Sequence, residues 1–302
     1  MKHILFATLF AALAATAQVK VTAIEKLPLP AGQEGTNPVF SPDGGAIYFT
    51  NSSFDGIWKY SRAEQSVTEL TLDPSSGNGF TVSPDGSQIA YRRTSYDAQT
   101  HARTQDAVVM NTATLAKRVV ATGSDVSAHV FVQNDLSYSV NGIAHVPALA
   151  KSAAPAVQVL GIENTKISIL KNGVKTVLDP FGDGSYIWPA LSPDGQKIVA
   201  YDLRRGTFVC DANGTVLMKL GRRDAAVWTR DSKWLVYMND SDDGRSLLAS
   251  DIRIISTDGS IDLPVTTTAD VLEMNPSCSP TENKIVCSAN GALYVISYEE
   301  TK

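Results

Sequence analysis

Three carboxylates recur in one setting. Asp43, Asp85 and Asp194 each stand third in the tetrapeptide Ser-Pro-Asp-Gly, at Ser41 to Gly44, Ser83 to Gly86 and Ser192 to Gly195. A set of carboxylates is what acid–base chemistry or a hard cation would draw on. A turn accounts for them more directly. Pro at the second turn position fixes φ near about −65°, Asp tolerates the third, and Gly supplies the positive φ that ends a type I turn with a bulge. The Ser hydroxyl can bond the local backbone. These aspartates are read as hairpin-turn residues.

Other chemistry-bearing groups are sparse. His101, His129 and His145 are scattered, and a metal site built from them would have to span separate parts of the fold. Asn239-Asp240-Ser241-Asp242-Asp243-Gly244 is the nearest approach to a Ca²⁺ loop, but Ser250 stands where the bidentate Glu belongs, so a solvated acidic turn is expected. A nucleophile elbow would need Gly-x-Ser-x-Gly, and Gly244-Arg245-Ser246-Leu247-Leu248 fails at its last position. There is no His-Glu-x-x-His, phosphate loop or dinucleotide fingerprint. Gly77-Asn78-Gly79 and Gly182-Asp183-Gly184 are loop glycines without the third Gly. No catalytic residue, cofactor-binding residue or metal ligand is therefore assigned. Cys278 and Cys287 fall on the two strands of one expected hairpin and pair only if register sets them opposite; free buried thiols are the alternative, with Cys210 single.

Composition narrows the partners. The chain has 302 residues, a formal charge of −5 and a pI near 5.4, with no long basic run, which speaks against a nucleic-acid surface. Lys2 and His3 precede an apolar run from Ile4 to Ala15, and Ala15-Thr16-Ala17 supplies small residues before Gln18. This is a secretory leader pattern, too short to span about 30 Å of hydrocarbon. Residues 1–17 are expected to be removed. No cysteine follows to carry a lipid, and no later segment reaches transmembrane length. The expectation is a periplasmic or secreted monomer with one domain over 18–302.

The elements that must position these groups form a repeat. Degenerate copies of the tetrapeptide setting occur at Val227 to Ser232, Asn275 to Pro280 and Val130 to Asp135. The anchors at 41, 83, 133, 192, 229 and 279 are spaced 42, 50, 59, 37 and 50 residues apart, bracketing the ~40–50 residues of a four-stranded propeller blade. Each anchor hairpin is followed by two further β-rich runs, several joined by hairpin turns: Asn172-Gly173, Asn213-Gly214 and Asp258-Gly259. The last repeat ends one strand short, and Val19 to Leu27, ahead of the first anchor, supplies it. The expected fold is all-β: a six-bladed propeller of four-stranded antiparallel blades, the last closed by the N-terminal strand, leaving no open edge.

The pattern apolar-Ser-Pro-Asp-Gly-x-x-Ile-Ala-Tyr resembles the WD-like repeat of TolB-type six-bladed propellers, found also in the propellers of prolyl-oligopeptidase-like enzymes. The resemblance covers essentially the whole chain after the leader. It implies an exported propeller used as a binding platform. Ser41, Pro42, Asp43 and Gly44 match a structural motif, so no catalytic role comes with them.

Two functions follow. The first is a non-catalytic platform in the cell envelope that docks a protein, peptide or glycan; the alternative is a metal-assisted propeller lyase or hydrolase acting on a sugar polymer. The loops entering each innermost strand share one face with the long segments Arg93 to Gln105, Gly142 to Asn164 and Asn239 to Ser250, while the Ser-Pro-Asp-Gly turns lie on the other. The candidate ligand-binding face comprises Tyr186, Trp188, Arg204, Arg205, Asp240 and Asp242, because exposed aromatic and Arg side chains dominate interface energies. For Trp188 alone, packing between blades is the competing reading.

Overall fold

A computed structural model of the chain describes residues 18–147, 156–268 and 271–301, with backbone alone at 128 and 129. The expected leader over 1–17 lies outside the described residues. Among these residues there are strands and turns but no helix, hence no helix long and apolar enough to cross a membrane.

Short β-branched and aromatic runs, each bounded by a turn tetrapeptide or an Asn-Gly or Asp-Gly pair, form antiparallel sheets. The first blade is Thr36–Phe40, Ala46–Thr50, Ile57–Ser61 and Ser66–Thr71. The second is Thr81–Val82, Gln88–Tyr96, Arg103–Asn111 and Lys117–Gly123. The third, Val126–Val132, Asp135–Val140 and Ile143–His145, and the fourth, Val157–Glu163, Lys166–Lys171 and Val174–Leu178, have three strands each. The fifth is Tyr186–Leu191, Lys197–Asp202, Gly206–Asp211 and Val216–Gly221. The sixth is Asp224–Trp228, Trp234–Asp242, Leu247–Ser256 and Asp262–Pro264. Glu273–Cys278, Lys284–Ala289 and Ala292–Thr301 make the seventh, whose outer strand is Gln18–Lys26. That closure pairs Gln18 with Thr301 and Lys26 with Tyr294.

The ring is visible in its apolar contacts. Phe49 and Trp58 of the first blade pack on Val286 and Leu293 of the seventh, and Tyr48 and Ile57 pack on Ile89 and Tyr91 of the second. Such clusters join every neighbouring pair of blades, ending with Trp234 and Ile254 of the sixth against Ile285 and Tyr298 of the seventh. The inner strands thus bury apolar area against the next blade, at roughly 25 cal/mol per Å².

The blade count corrects the expectation of six: among the described residues there are seven sheets. The 59-residue interval between the third and fourth anchors holds two blades. The hairpin Lys166–Lys171 and Val174–Leu178 pairs with Val157–Glu163, not with Asp135–Val140, which is covered instead by Ile143–His145. The physical reason is weak local signal. One of these strands has three residues, and the other is interrupted at Gly161, where the register slips. Two of the three segments expected as long irregular loops are likewise largely strand. Gln88–Tyr96 with Arg103–Asn111, and Trp234–Asp242 with Leu247–Ser256, are long paired hairpins.

The tetrapeptide turns behave as their chemistry requires. Ser41 Oγ donates to Asp43 Oδ1 at 2.5 Å and accepts from the Ala46 amide at 2.8 Å, while the Gly45 amide donates to the same carboxylate oxygen at 2.9 Å. Gly44, Gly86 and Gly195 have φ of 71°, 72° and 73°. In the sixth blade Thr229 and Asp231 repeat the contact at 2.7 Å, with Ser232 in the left-handed region where Gly stood. The serines are buried inside their own turns.

Candidate binding site at the channel mouth

The innermost strands line the central channel, and their geometry follows one rule. In the first, fifth, sixth and seventh blades the register slips just after the strand begins, between Thr36 and Val39, Ile187 and Ala190, Asp224 and Val227, and Met274 and Ser277. At each slip one residue turns left-handed: Asn37 at φ 47°, Trp188 at 52°, Ala225 at 50° and Asn275 at 56°. The resulting bulges face one another across a cavity of about 410 Å³, walled by Pro38, Pro189, Pro276 and Val227 with the amides of Asn37 and Asn275. Asn tolerates this conformation; for a bulky side chain it is a genuine outlier.

Trp188 is that outlier. It is 47% exposed, whereas Trp58, Trp228 and Trp234 are buried. Its ring stands edge-on to Tyr201, centroids 5.7 Å apart and planes at 67°. Burial raises the Tyr201 phenol above its ordinary pKa, and the nearby Asp224 charge adds to this. Arg222 bridges Asp224 at 3.2 Å and Asp242 at 2.9 Å, so an aromatic pair and a three-member charge network form one wall between the fifth and sixth blades.

The other expected face residues divide. Arg204 and Arg205 lie in the turn after Lys197–Asp202, at the same end of the ring as Trp188, but they are committed to neighbours. Arg204 pairs with Asp183 at 2.7 Å; Arg205 pairs with Asp183 at 2.6 Å and with the buried Asp202 at 3.2 Å, and its guanidinium lies 4.8 Å over the Phe181 ring. Asp240 accepts from Ser250 Oγ at 2.7 Å, and burial holds its carboxyl above the usual range. Arg222 holds the Asp242 carboxyl below it.

Tyr186 is corrected: it is 1% exposed and forms no part of the surface. Its hydroxyl donates to Asp179 at 2.7 Å and accepts from the Phe181 amide at 3.0 Å. Gly184 makes room for it, since a Cβ there would stand 2.0 Å from that hydroxyl. The acidic stretch from Asn239 runs into the sixth-blade hairpin. There Asp242 accepts from the Gly244 amide, and Asp243 accepts from the Arg245 and Ser246 amides, at 2.8–2.9 Å.

Among the described residues no three His, Cys, Asp or Glu side chains converge as metal ligands. His101 sits exposed at a hairpin tip and His145 stacks on Tyr138 at 4.9 Å; of His129 only the backbone is described. Cys210, Cys278 and Cys287 are free, and register sets Cys278 opposite Ile285 rather than Cys287.

Asn37, Tyr201, Arg222, Asp224 and Asn275 were not singled out from sequence. A signal for two of them was present in the Asn-Pro pairs before the first and last anchors, aligned with Trp188-Pro189.

No family model matches the chain, and no curated protein matches it in sequence. Solved structures match it in fold. An oligogalacturonate lyase from Vibrio parahaemolyticus is 11% identical, with a TM-score of 0.52 over 89% of this chain and 79% of that one. An oligogalacturonate lyase in complex with manganese aligns equally well, at 11% identity and TM-score 0.52, covering 89% and 78%. TolB from Acinetobacter baumannii is 16% identical, with a TM-score of 0.48 over 82% of this chain and 58% of that one. The lyase likenesses show a shared propeller fold.

Proposed function

We propose that this chain is an exported, non-catalytic propeller of the cell envelope that docks a protein, peptide or glycan segment at the channel mouth, with Trp188 as its anchor. The observation that carries this reading is Trp188 itself. A left-handed backbone costs a bulky residue on the order of 1–3 kcal/mol, and such outliers cluster at ligand clamps. Three sister positions use Asn or Ala; only this one carries a large side chain, and it is turned outward beside the cavity. Trp is also enriched among residues that dominate interface energies. The Arg222 network beside it would fix the orientation of a polar segment. The test is to identify a bound segment with peptide and glycan arrays, then measure its affinity for the parent and Trp188→Ala. A loss of tenfold or more is expected; unchanged affinity would end the proposal.

The alternative, a metal-assisted lyase or hydrolase of a sugar polymer, draws on the fold neighbours named as oligogalacturonate lyases. The donor set it needs is not found among the described residues. Metal analysis of purified protein together with an assay on polygalacturonate separates the two: stoichiometric manganese with unsaturated product would favour the enzyme.

A further inference from the structure

Five of the seven blade interfaces hold large buried apolar clusters, and that between the second and third blades holds only Ala90, Val109 and Phe131. Between the third and fourth blades the buried cluster is equally small, Val132, Leu160 and Leu170. Beside it lies a cavity of about 200 Å³, lined by Asp125, Ser137, Asn164, Ser168 and the Glu163–Lys175 pair. A buried water takes a share of only ~30 Å³, so this space exceeds one structural water several-fold.

The polarity is placed, not incidental. Along Lys166–Lys171 the side chains alternate, with Ile167 and Ile169 packed toward the fifth blade and Leu170 toward the third. Ser168 shares the Leu170 side, where a Val would add to the thin core. It is 4% exposed, and its Oγ has no hydrogen-bond partner among the described residues. A buried polar group without a partner calls for one. Around it are groups that donate and accept: the Ser137 hydroxyl, the Asn164 amide, and a Lys175–Glu163 ion pair at 2.6 Å whose charges cancel.

We propose that this inter-blade cavity is a second binding site, separate from the channel mouth, for a neutral polyhydroxylated molecule of about monosaccharide size. Hydroxyl groups match a lining that both donates and accepts. Leu160 and Val146 offer apolar surface to a sugar's C–H face. Asp125 adds a carboxylate to the lining, which accepts hydrogen bonds from hydroxyl groups and repels an anionic ligand.

The experiment titrates the chain with D-glucose, D-galactose and myo-inositol, reading amide NMR shifts and calorimetry. Saturable binding of at least one is expected, weakened about tenfold in Ser168→Val and in Lys175→Met, the size expected for one lost buried hydrogen bond. Ser168→Ala serves if Ser168→Val disturbs folding, and Trp188→Ala should leave this binding unchanged. No saturable binding by any of the three, or equal binding by parent and variants, overturns the proposal. A higher melting temperature in Ser168→Val without sugar binding by the parent would identify a hydration pocket only, and overturns it too.

Discussion

Trp188 meets Tyr201 edge to face, centroids 5.7 Å apart, although both belong to neighbouring strands of one blade whose regular pairing has already broken at Trp188. The left-handed turn at φ 52° swings the indole out toward the channel while Tyr201 stays beneath it beside Asp224. One strained residue therefore exposes an aromatic anchor and props it from below.

Replacing Trp188 by Asn should separate binding from stability. Asn accepts the left-handed backbone, and relief of strain offsets the lost ring contact, worth about 0.5–1.5 kcal/mol. The unfolding free energy is expected to stay within about 1 kcal/mol of the parent by urea titration, while affinity for the docked segment falls at least tenfold. A large stability loss with intact affinity would make Trp188 a packing residue.

Tyr186 should behave in the opposite way. Tyr186→Phe leaves the Asp179 carboxylate and the Phe181 amide without the hydroxyl between them, costing about 1–2 kcal/mol. Tyr186→Ala adds a cavity and should cost about 3–5 kcal/mol. Thermal melting checks both, and neither should alter affinity in the fraction that remains folded.

The turn aspartates set the acid limit. Hydrogen bonds from Ser41 and the Gly45 amide hold the Asp43 carboxyl below its ordinary value, those from Ser83 and Ser87 do the same for Asp85, and those from Ser256 and Ser260 bring Asp258 down to about 2. A carboxyl lowered on folding stabilises the native state above its unfolded pKa, and that contribution is lost as pH falls through the folded one. Stability should therefore decline from about pH 4 toward pH 2. Asp43→Asn and Asp258→Asn should flatten the decline; a pH–melting curve unchanged by both would remove the turns as its cause.

Removing residues 18–26 uncovers the whole edge of Ala292–Thr301 and takes Val19 and Val21 from the cluster between the last two blades. The expected result is one cooperative transition at a lower midpoint, together with concentration-dependent association through the bared edge. A parent-like melt would show that the closure carries no stability.

Burial pushes the thiols of Cys210, Cys278 and Cys287 up to about 12. Because the thiolate is the reactive form, iodoacetamide at neutral pH should leave the native chain unmodified and label all three cysteines after unfolding. A missing pair of labels without reductant would reveal a disulfide between Cys278 and Cys287.

Turn chemistry was legible from the residues alone, because Ser-Pro-Asp-Gly closes its hydrogen bonds within six residues and needs no distant partner. The closure by the N-terminal strand was legible as well, since a repeat one strand short at its end and one strand long at its beginning has one way to leave no edge. Blade number was not. Ile143–His145 and Val157–Glu163 exist only through pairing with strands on either side, and nothing in three residues, or in a run broken by Gly161, announces that pairing. The site divided along the same line. Tyr186 and Trp188, two apart, belong on one face of a regular strand, and sequence periodicity therefore treats them alike. The bulge between Ile187 and Ala190 breaks the alternation, burying one ring at 1% exposure and leaving the other at 47%. Such a bulge is decided by how the innermost strands crowd around a common axis, a constraint among residues far apart in the chain.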